Sequence, residues 1–144
     1  HRAVAGLSMG GGGTVGYATR HSEMFCAAYP ISAYLYHQKE IPWLNNGNPV
    51  TEKIHKVLEE NHCVKQIQNA DSATVEKLKT VKWFIDCGDD DFTFTPSMEL
   101  VAALREKQIP YQLRVRDGGH DWEYWHSALY IALPFVSKQF TKID

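Results

Sequence analysis

Gly6-Leu7-Ser8-Met9-Gly10, preceded by Arg2-Ala-Val-Ala and followed by Gly11 to Gly13, is the stretch on which the fold turns. The apolar run ending at Gly6 suits the end of a buried parallel strand, and Thr14 to Arg20 has helical character. A serine between strand and helix with glycines two positions away on each side fits G-x-S-x-G in the context that motif requires. The turn it makes is sharp and strained, so side chains at the flanking positions are expected to collide with the neighbouring strand and helix. Such a turn lifts the Ser8 hydroxyl above the sheet. It also leaves the backbone N–H of Met9 facing an oxygen that becomes negative during acyl transfer, where the helix start adds partial positive charge. A phosphate loop is the competing reading of so many glycines, but no lysine follows the cluster. Gly11, Gly13 and Gly16 can be forced onto a dinucleotide signature, yet the next apolar run ends in Pro-Ile-Ser rather than an acidic residue.

Working outward, Phe25 to Ile31 is a second strand, and Tyr34 to Pro49 reads as an irregular loop rich in aromatics, Asn, Gly and Pro. Thr51 is placed to cap a helix running to Gln68, with Ile54, Val57, Leu58, Val64 and Ile67 at helical spacing. A short helix from Ala73 to Leu78 follows, then a third strand from Val81 to Ile85. Thr95-Pro96 opens a helix to about Lys107. Tyr111 to Val115 alternates as a fourth strand, and Trp122 to Phe140 is a final amphipathic helix that Pro134 bends. Strands alternating with helices predict an α/β fold, a mainly parallel sheet flanked by helices.

A serine hydroxyl attacks only when a histidine takes its proton and a carboxylate fixes that histidine's tautomer. The third strand runs into Asp86-Cys-Gly-Asp-Asp-Asp91, and the fourth is followed by Asp117-Gly-Gly-His120. Both loops leave carboxyl ends of parallel strands, the rim where ligands bind in open α/β sheets. The order serine, acid, histidine along the chain is the one that goes with the G-x-S-x-G elbow. His120 follows two glycines that permit a tight turn back toward Ser8. Asp86 belongs to the strand, and Asp89, Asp90 and Asp91 remain open as the acid on spacing alone. His126 falls on the last helix, where packing or solvent explains it. His55 and His62 are seven apart, which allows a shared helix face, but a metal site there would need carboxylate or cysteine partners at fixed geometry.

The bulk properties are those of one soluble unit: 144 residues, 44% hydrophobic, 22% charged, with net charge −2. Interspersed charges give no basic stripe for a nucleic acid or membrane surface, and no apolar run approaches the roughly 20 residues of a bilayer span. Three cysteines cannot all pair within the chain. Cys26 and Cys87 read as buried core residues, although a bridge between them is compatible with export.

Four segments resemble one family: Gly-Leu-Ser-Met-Gly-Gly-Gly from residue 6, Pro-Ile-Ser at 30–32, Ile-Asp-Cys-Gly-Asp-Asp-Asp at 85–91 and Gly-Gly-His-Asp-Trp at 118–122. The sequence is similar to the Putative esterase family of the α/β-hydrolase superfamily, which includes feruloyl and acetylxylan esterases of carbohydrate esterase family 1 and esterase D. The resemblance implies Ser8 as nucleophile, His120 as base, and Asp91, ahead of Asp90, as acid. It implies a serine carboxylic-ester hydrolase acting on feruloyl or acetyl esters of plant cell-wall polysaccharide, with no cofactor or metal. A periplasmic or secreted location goes with that substrate. Such domains carry further strands before the elbow, with a loop that supplies the second oxyanion donor. Residues 1–144 are therefore expected to be one catalytic domain, the C-terminal part of an α/β-hydrolase fold lacking its N-terminal strands. Trp122, just past the base, is the candidate for stacking on a feruloyl ring or sugar, with Trp125 and Trp43 behind it. An S-formylglutathione hydrolase or serine peptidase shares the same triad, and a silent binding domain would share the scaffold.

Overall fold

The computed structural model describes residues 2–35 and 48–141; Trp43 and most of the expected long loop lie outside them. Four strands, β1 (Ala3–Leu7), β2 (Ala27–Ile31), β3 (Lys82–Gly88) and β4 (Tyr111–Arg116), form one sheet in the order β1-β2-β3-β4. All pairs are parallel. The helices are α1 (Met9–Arg20), α2 (Pro49–Glu60), α3 (Cys63–Gln68), α4 (Ser72–Thr80), α5 (Phe94–Glu106) and α6 (Trp122–Phe140), with a single 3₁₀ turn at Ser22–Met24.

Period-two alternation divides the core into two layers. Ala28, Trp83 and Ile85 point to one face, where they meet Val15 and Ala18 of α1, Val64 and Ile67 of α3, Leu78 of α4 and Leu100 and Leu104 of α5. Tyr29, Ile31 and Phe84 point to the other, against Tyr124, Trp125, Ala128 and Ala132 of α6. The inner strands β2 and β3 are buried almost throughout, whereas β1 and β4 are half-covered. Near-continuous apolar β2 and alternating β4 are the sequence counterparts of those two environments.

Several local expectations shift. The helix expected from Thr51 to Gln68 is two helices broken at Asn61-His62. Asn48, not Thr51, caps the first through Oδ1, which accepts the Val50 N–H at 2.9 Å. The His62 imidazole caps the second at Lys65. No residue of α2 is buried, while Cys63, Val64 and Ile67 of α3 are. The helix expected to open at Thr95 starts at Phe94, with Pro96 still in the first turn, where no intrahelical N–H is needed. Cys26 and Cys87 are unbridged. Cys26 is only half-buried and its thiol donates to the Arg2 carbonyl at 3.1 Å, whereas Cys87 is buried beside Thr93. Among the described residues no helix is long and apolar enough to cross a membrane.

Candidate active site

Sheet pairing runs past the strand ends and builds the site. The Ser8 N–H donates to the Ile31 carbonyl at 3.0 Å, and the Ser32 N–H donates to the Asp86 carbonyl at 2.8 Å. Ser8 therefore leaves the end of β1 held against β2, with φ 53° and ψ −118°. For a non-glycine residue this is strained backbone, stabilised by its surroundings. The glycines divide unevenly around it. A Cβ on Gly6 would sit 2.4 Å from the Gly10 carbonyl oxygen, one on Gly11 2.8 Å from Ala33 Cα, and one on Gly12 2.2 Å from the Tyr34 oxygen. One on Gly10 would meet nothing within 4 Å. The expectation of crowding on both sides of Ser8 thus holds at Gly6 and fails at Gly10; the tight approach lies one turn further on, where α1 crosses the segment after β2.

The loops that follow β3 and β4 are zipped to each other. The Asp89 N–H donates to Arg116 O at 3.0 Å, the Asp90 N–H to Gly118 O at 3.1 Å, and the Gly118 N–H to Asp89 Oδ1 at 3.1 Å. Gly118 takes φ 142°, and a Cβ there would strike the Tyr124 ring at 2.6 Å. A Cβ on Gly88 would lie 2.0 Å from the Gly118 oxygen. Both glycines are required by close approach, and the turn they permit carries His120, two residues past Gly118, back across the sheet rim.

There the three predicted side chains meet. Ser8 Oγ lies 2.8 Å from His120 Nε2, and His120 Nδ1 lies 2.9 and 3.0 Å from the two oxygens of Asp91. Asp91 is buried, while Asp89 and Asp90 are exposed. Burial pushes the Asp91 carboxyl up, but hydrogen bonds from the Thr93 N–H, the Thr93 and Ser32 hydroxyls and His120 outweigh it and hold it below the ordinary carboxylate range. An ionised carboxylate only accepts, so Nδ1 must carry the imidazole proton. Nε2 is then the acceptor, and the Ser8 hydroxyl donates to it. Thr93 has no capping bond to α5 because its hydroxyl is spent on Asp91 Oδ1 at 2.7 Å, beside its own N–H at 2.8 Å. Met9 begins α1, so the helix offers its N–H no partner.

The imidazole is walled by rings. Phe92 lies 4.5 Å away, tilted by 44°, and Trp125 presents an edge-on contact at 4.9 Å. Trp125 is buried and Phe92 exposed. Trp122, nearer in sequence, points outward at 62% exposure and stacks on Trp125 and His126 instead. Sequence spacing favoured Trp122 as the neighbour of the base. Trp125, about one turn into α6, is the residue that turns inward.

Behind Ser8, His120 and Asp91 stands a second buried carboxylate, which its position inside β3 had marked only as a strand residue. Asp86 Oδ1 accepts the Tyr124 hydroxyl at 2.7 Å. Oδ2 accepts the Tyr29 hydroxyl at 2.7 Å and Arg114 Nε and Nη2 at 3.0 and 2.6 Å. Burial, reinforced by this carboxylate, pushes both phenols above the ordinary tyrosine range. The cluster joins β2, β3, β4 and the start of α6 directly under the base loop. Among the described residues the one group of possible metal ligands is the exposed trio Asp89, Asp90 and Asp117. Its Asp89 already serves the loop zipper, and His55 and His62 form no such group.

Residues 1–136 match the family described as Putative esterase. The chain belongs to that family. An acetyl esterase of Caldicellulosiruptor saccharolyticus is 27% identical over 143 residues, covering 94% of this chain and 54% of the relative. A solved ferulic acid esterase superposes with a TM-score of 0.87 at 50% identity, over 96% of this chain and 52% of that one. The apoenzyme of an S-formylglutathione hydrolase from Staphylococcus aureus gives 0.71 at 27% identity, over 93% and 50%. The neighbours share the α/β-hydrolase fold. This Putative esterase chain spans about half the length of the relatives it matches.

Proposed function

We propose that Ser8, His120 and Asp91 are the nucleophile, base and acid of a carboxylic-ester hydrolase that works through an acyl-enzyme. The observation that carries the reading is the unbroken line of hydrogen bonds from the Ser8 hydroxyl through both nitrogens of His120 to the buried Asp91. Ser8 Oγ attacks the ester carbonyl as its proton passes to Nε2, and the imidazolium is stabilised by Asp91. The Met9 N–H donates to the resulting oxyanion. Collapse of the tetrahedral species breaks the bond to the alkoxy oxygen, which leaves with the proton from Nε2. Water, deprotonated by the same nitrogen, then releases the acid and restores Ser8. A second oxyanion donor, assigned by family resemblance to a loop ahead of the elbow, belongs to this proposal.

For the substrate, we propose feruloyl or acetyl esters of plant cell-wall polysaccharide, supported by the likeness to a ferulic acid esterase at 50% identity and to an acetyl esterase at 27%. Exposed Phe92 supplies aromatic surface beside the base, and exposed Trp122 extends it beyond Trp125, for a planar acyl ring or a sugar. The test is labelling with a fluorophosphonate, located by peptide mass spectrometry, alongside turnover of methyl ferulate, an aryl acetate, S-formylglutathione and a peptide amide. Ser8 should carry the label and the two oxygen esters should turn over fastest. A clear preference for S-formylglutathione would move the substrate to thioesters, and an unlabelled Ser8 without turnover of any of the four would leave a silent scaffold.

A further inference from the structure

We infer that Thr93 and Cys87 are positioning residues for the acid: the buried Cys87 thiol donates to the Thr93 hydroxyl oxygen, and the hydroxyl hydrogen is thereby kept on Asp91. The inference rests on the reading of Ser8, His120 and Asp91 given above, and extends their line of hydrogen bonds into β3. Thr93 occupies the N-cap of α5, where a threonine hydroxyl ordinarily accepts an N–H of the first helical turn. It makes no such bond. Its Oγ1 lies instead 2.7 Å from Asp91 Oδ1 and 3.5 Å from Cys87 Sγ. Thr93 and Cys87 are both buried, so neither side chain has water as an alternative partner. A helix cap forgone at a buried position sacrifices stability, and the bond to Asp91 is what the hydroxyl does in its place.

The direction of each bond follows from inventory. Asp91 Oδ1 accepts the Thr93 N–H at 2.8 Å and faces His120 Nδ1 at 2.9 Å, so it is an acceptor and the Thr93 hydroxyl hydrogen points to it. A hydroxyl has one hydrogen and two lone pairs. Taken alone, the contact between sulfur and oxygen could run either way. With the hydrogen committed to Asp91, the Thr93 oxygen can only accept, and Cys87 is the donor. Burial pushes the Cys87 thiol up, which keeps its hydrogen in place. A thiol is a weak donor, but by occupying a lone pair it leaves the hydroxyl one orientation. Thr93 is also stiff at χ1 as a β-branched residue. The acid is thus referred to the inner strand β3, beyond the loop that carries it. The sequence reading of Cys87 as a small core residue accounts for its burial and says nothing of where its hydrogen points.

Three variants and one spectrum of the protein separate this from simple packing. Thr93→Val keeps the shape and loses the hydroxyl, Thr93→Ser keeps the hydroxyl, and Cys87→Ala removes the thiol. Thr93→Val should lower kcat about tenfold, as for a lost hydrogen bond to a charged group, with KM changed by no more than about twofold. Thr93→Ser should restore most of that loss. Cys87→Ala should cost about twofold to threefold in kcat, as befits a weak donor, and should add nothing in the Thr93→Val background. In the proton NMR spectrum the downfield Nδ1–H resonance of His120 should move in Thr93→Val and return in Thr93→Ser. The infrared difference between wild type and Cys87→Ala isolates the Cys87 S–H stretch, which should lie below that of a free thiol. A Cys87 stretch at the free-thiol frequency would overturn the thiol's part, whether or not Thr93→Val folds. Wild-type kcat with an unmoved resonance in folded Thr93→Val would overturn the part of Thr93. In either case Ser8 would still be labelled and esters still turned over. A wild-type protein without Ser8 labelling or ester turnover would instead remove the underlying reading, and this inference with it.

Discussion

Asp91→Asn tests the line of hydrogen bonds at its least exposed member, and the surroundings dictate what the amide must do. Thr93 presents two donors, its N–H and its hydroxyl, to the Oδ1 position, so the amide oxygen must sit there. The NH₂ then falls at the Oδ2 position, 3.0 Å from His120 Nδ1. An NH₂ group donates, so it fixes Nδ1 as an acceptor and moves the imidazole proton to Nε2. Ser8 Oγ, 2.8 Å away, then faces an N–H in place of a lone pair, and its proton has nowhere to go. The side chain is nearly isosteric, so folding should be largely kept while kcat falls about 10⁴-fold, the loss seen for this substitution in serine-hydrolase triads. That is about 5.5 kcal/mol of transition-state stabilisation. Aryl-acetate kinetics, with a thermal melt as the folding control, measure it. A folded Asp91→Asn variant within tenfold of wild type would refute the tautomer argument, and so would an Asp90→Asn variant that is the crippled one.

Two further predictions compare neighbouring positions. Gly88→Ala drives a methyl into the Gly118 carbonyl and should destabilise by roughly 1–3 kcal/mol or more, as overpacking does, with loss of ester turnover. Gly10→Ala, with open space around the added carbon, should be neutral or stabilising by up to about 1 kcal/mol through helix propensity; denaturant melts rank the pair, and equal costs would contradict the loop-zipper geometry. Tyr124→Phe leaves Asp86 Oδ1 without its hydroxyl donor, whereas Tyr29→Phe leaves Oδ2 with two bonds from Arg114. The first should cost roughly 1–3 kcal/mol and the second less, and the reverse order in urea melts would show that the carboxylate is satisfied some other way.

What could be read from the sequence was what is encoded locally. Strand, turn and helix around Ser8, the alternation of strands with helices, and two glycines before His120 each depend on neighbours within a few residues. Asp91 needed more. Spacing left three aspartates open, and what separates them is tertiary, since one is buried against Thr93 and His120 while the other two face solvent. The break at Asn61-His62 was hidden because apolar periodicity continues across it, although Ile54 and Val57 turn out to be exposed. Ser32 stood in a motif and Trp125 was visible as an aromatic beyond His120, but the hydrogen bond from Trp125 Nε1–H to Ser32 Oγ spans 93 residues and leaves no local trace. Asp86 looked like an ordinary strand-end carboxylate until Tyr29, Arg114 and Tyr124 arrived from three other elements.

The left-handed backbone at Ser8 has a thermal corollary. Its N–H is tied to Ile31, and its carbonyl takes the N–H groups of both Gly12 and Tyr34, so the peptide planes on each side of the residue are anchored. Those anchors sit at the rim of the sheet, where fraying starts, and the conformation they restrain stores about 1–3 kcal/mol. On warming, the least costly relaxation is for this one residue to swing into an ordinary region of backbone space and carry its oxygen off the imidazole. Loss of the reactive alignment should therefore precede melting of the layers beneath, and the elbow would fail as a fuse ahead of the fold.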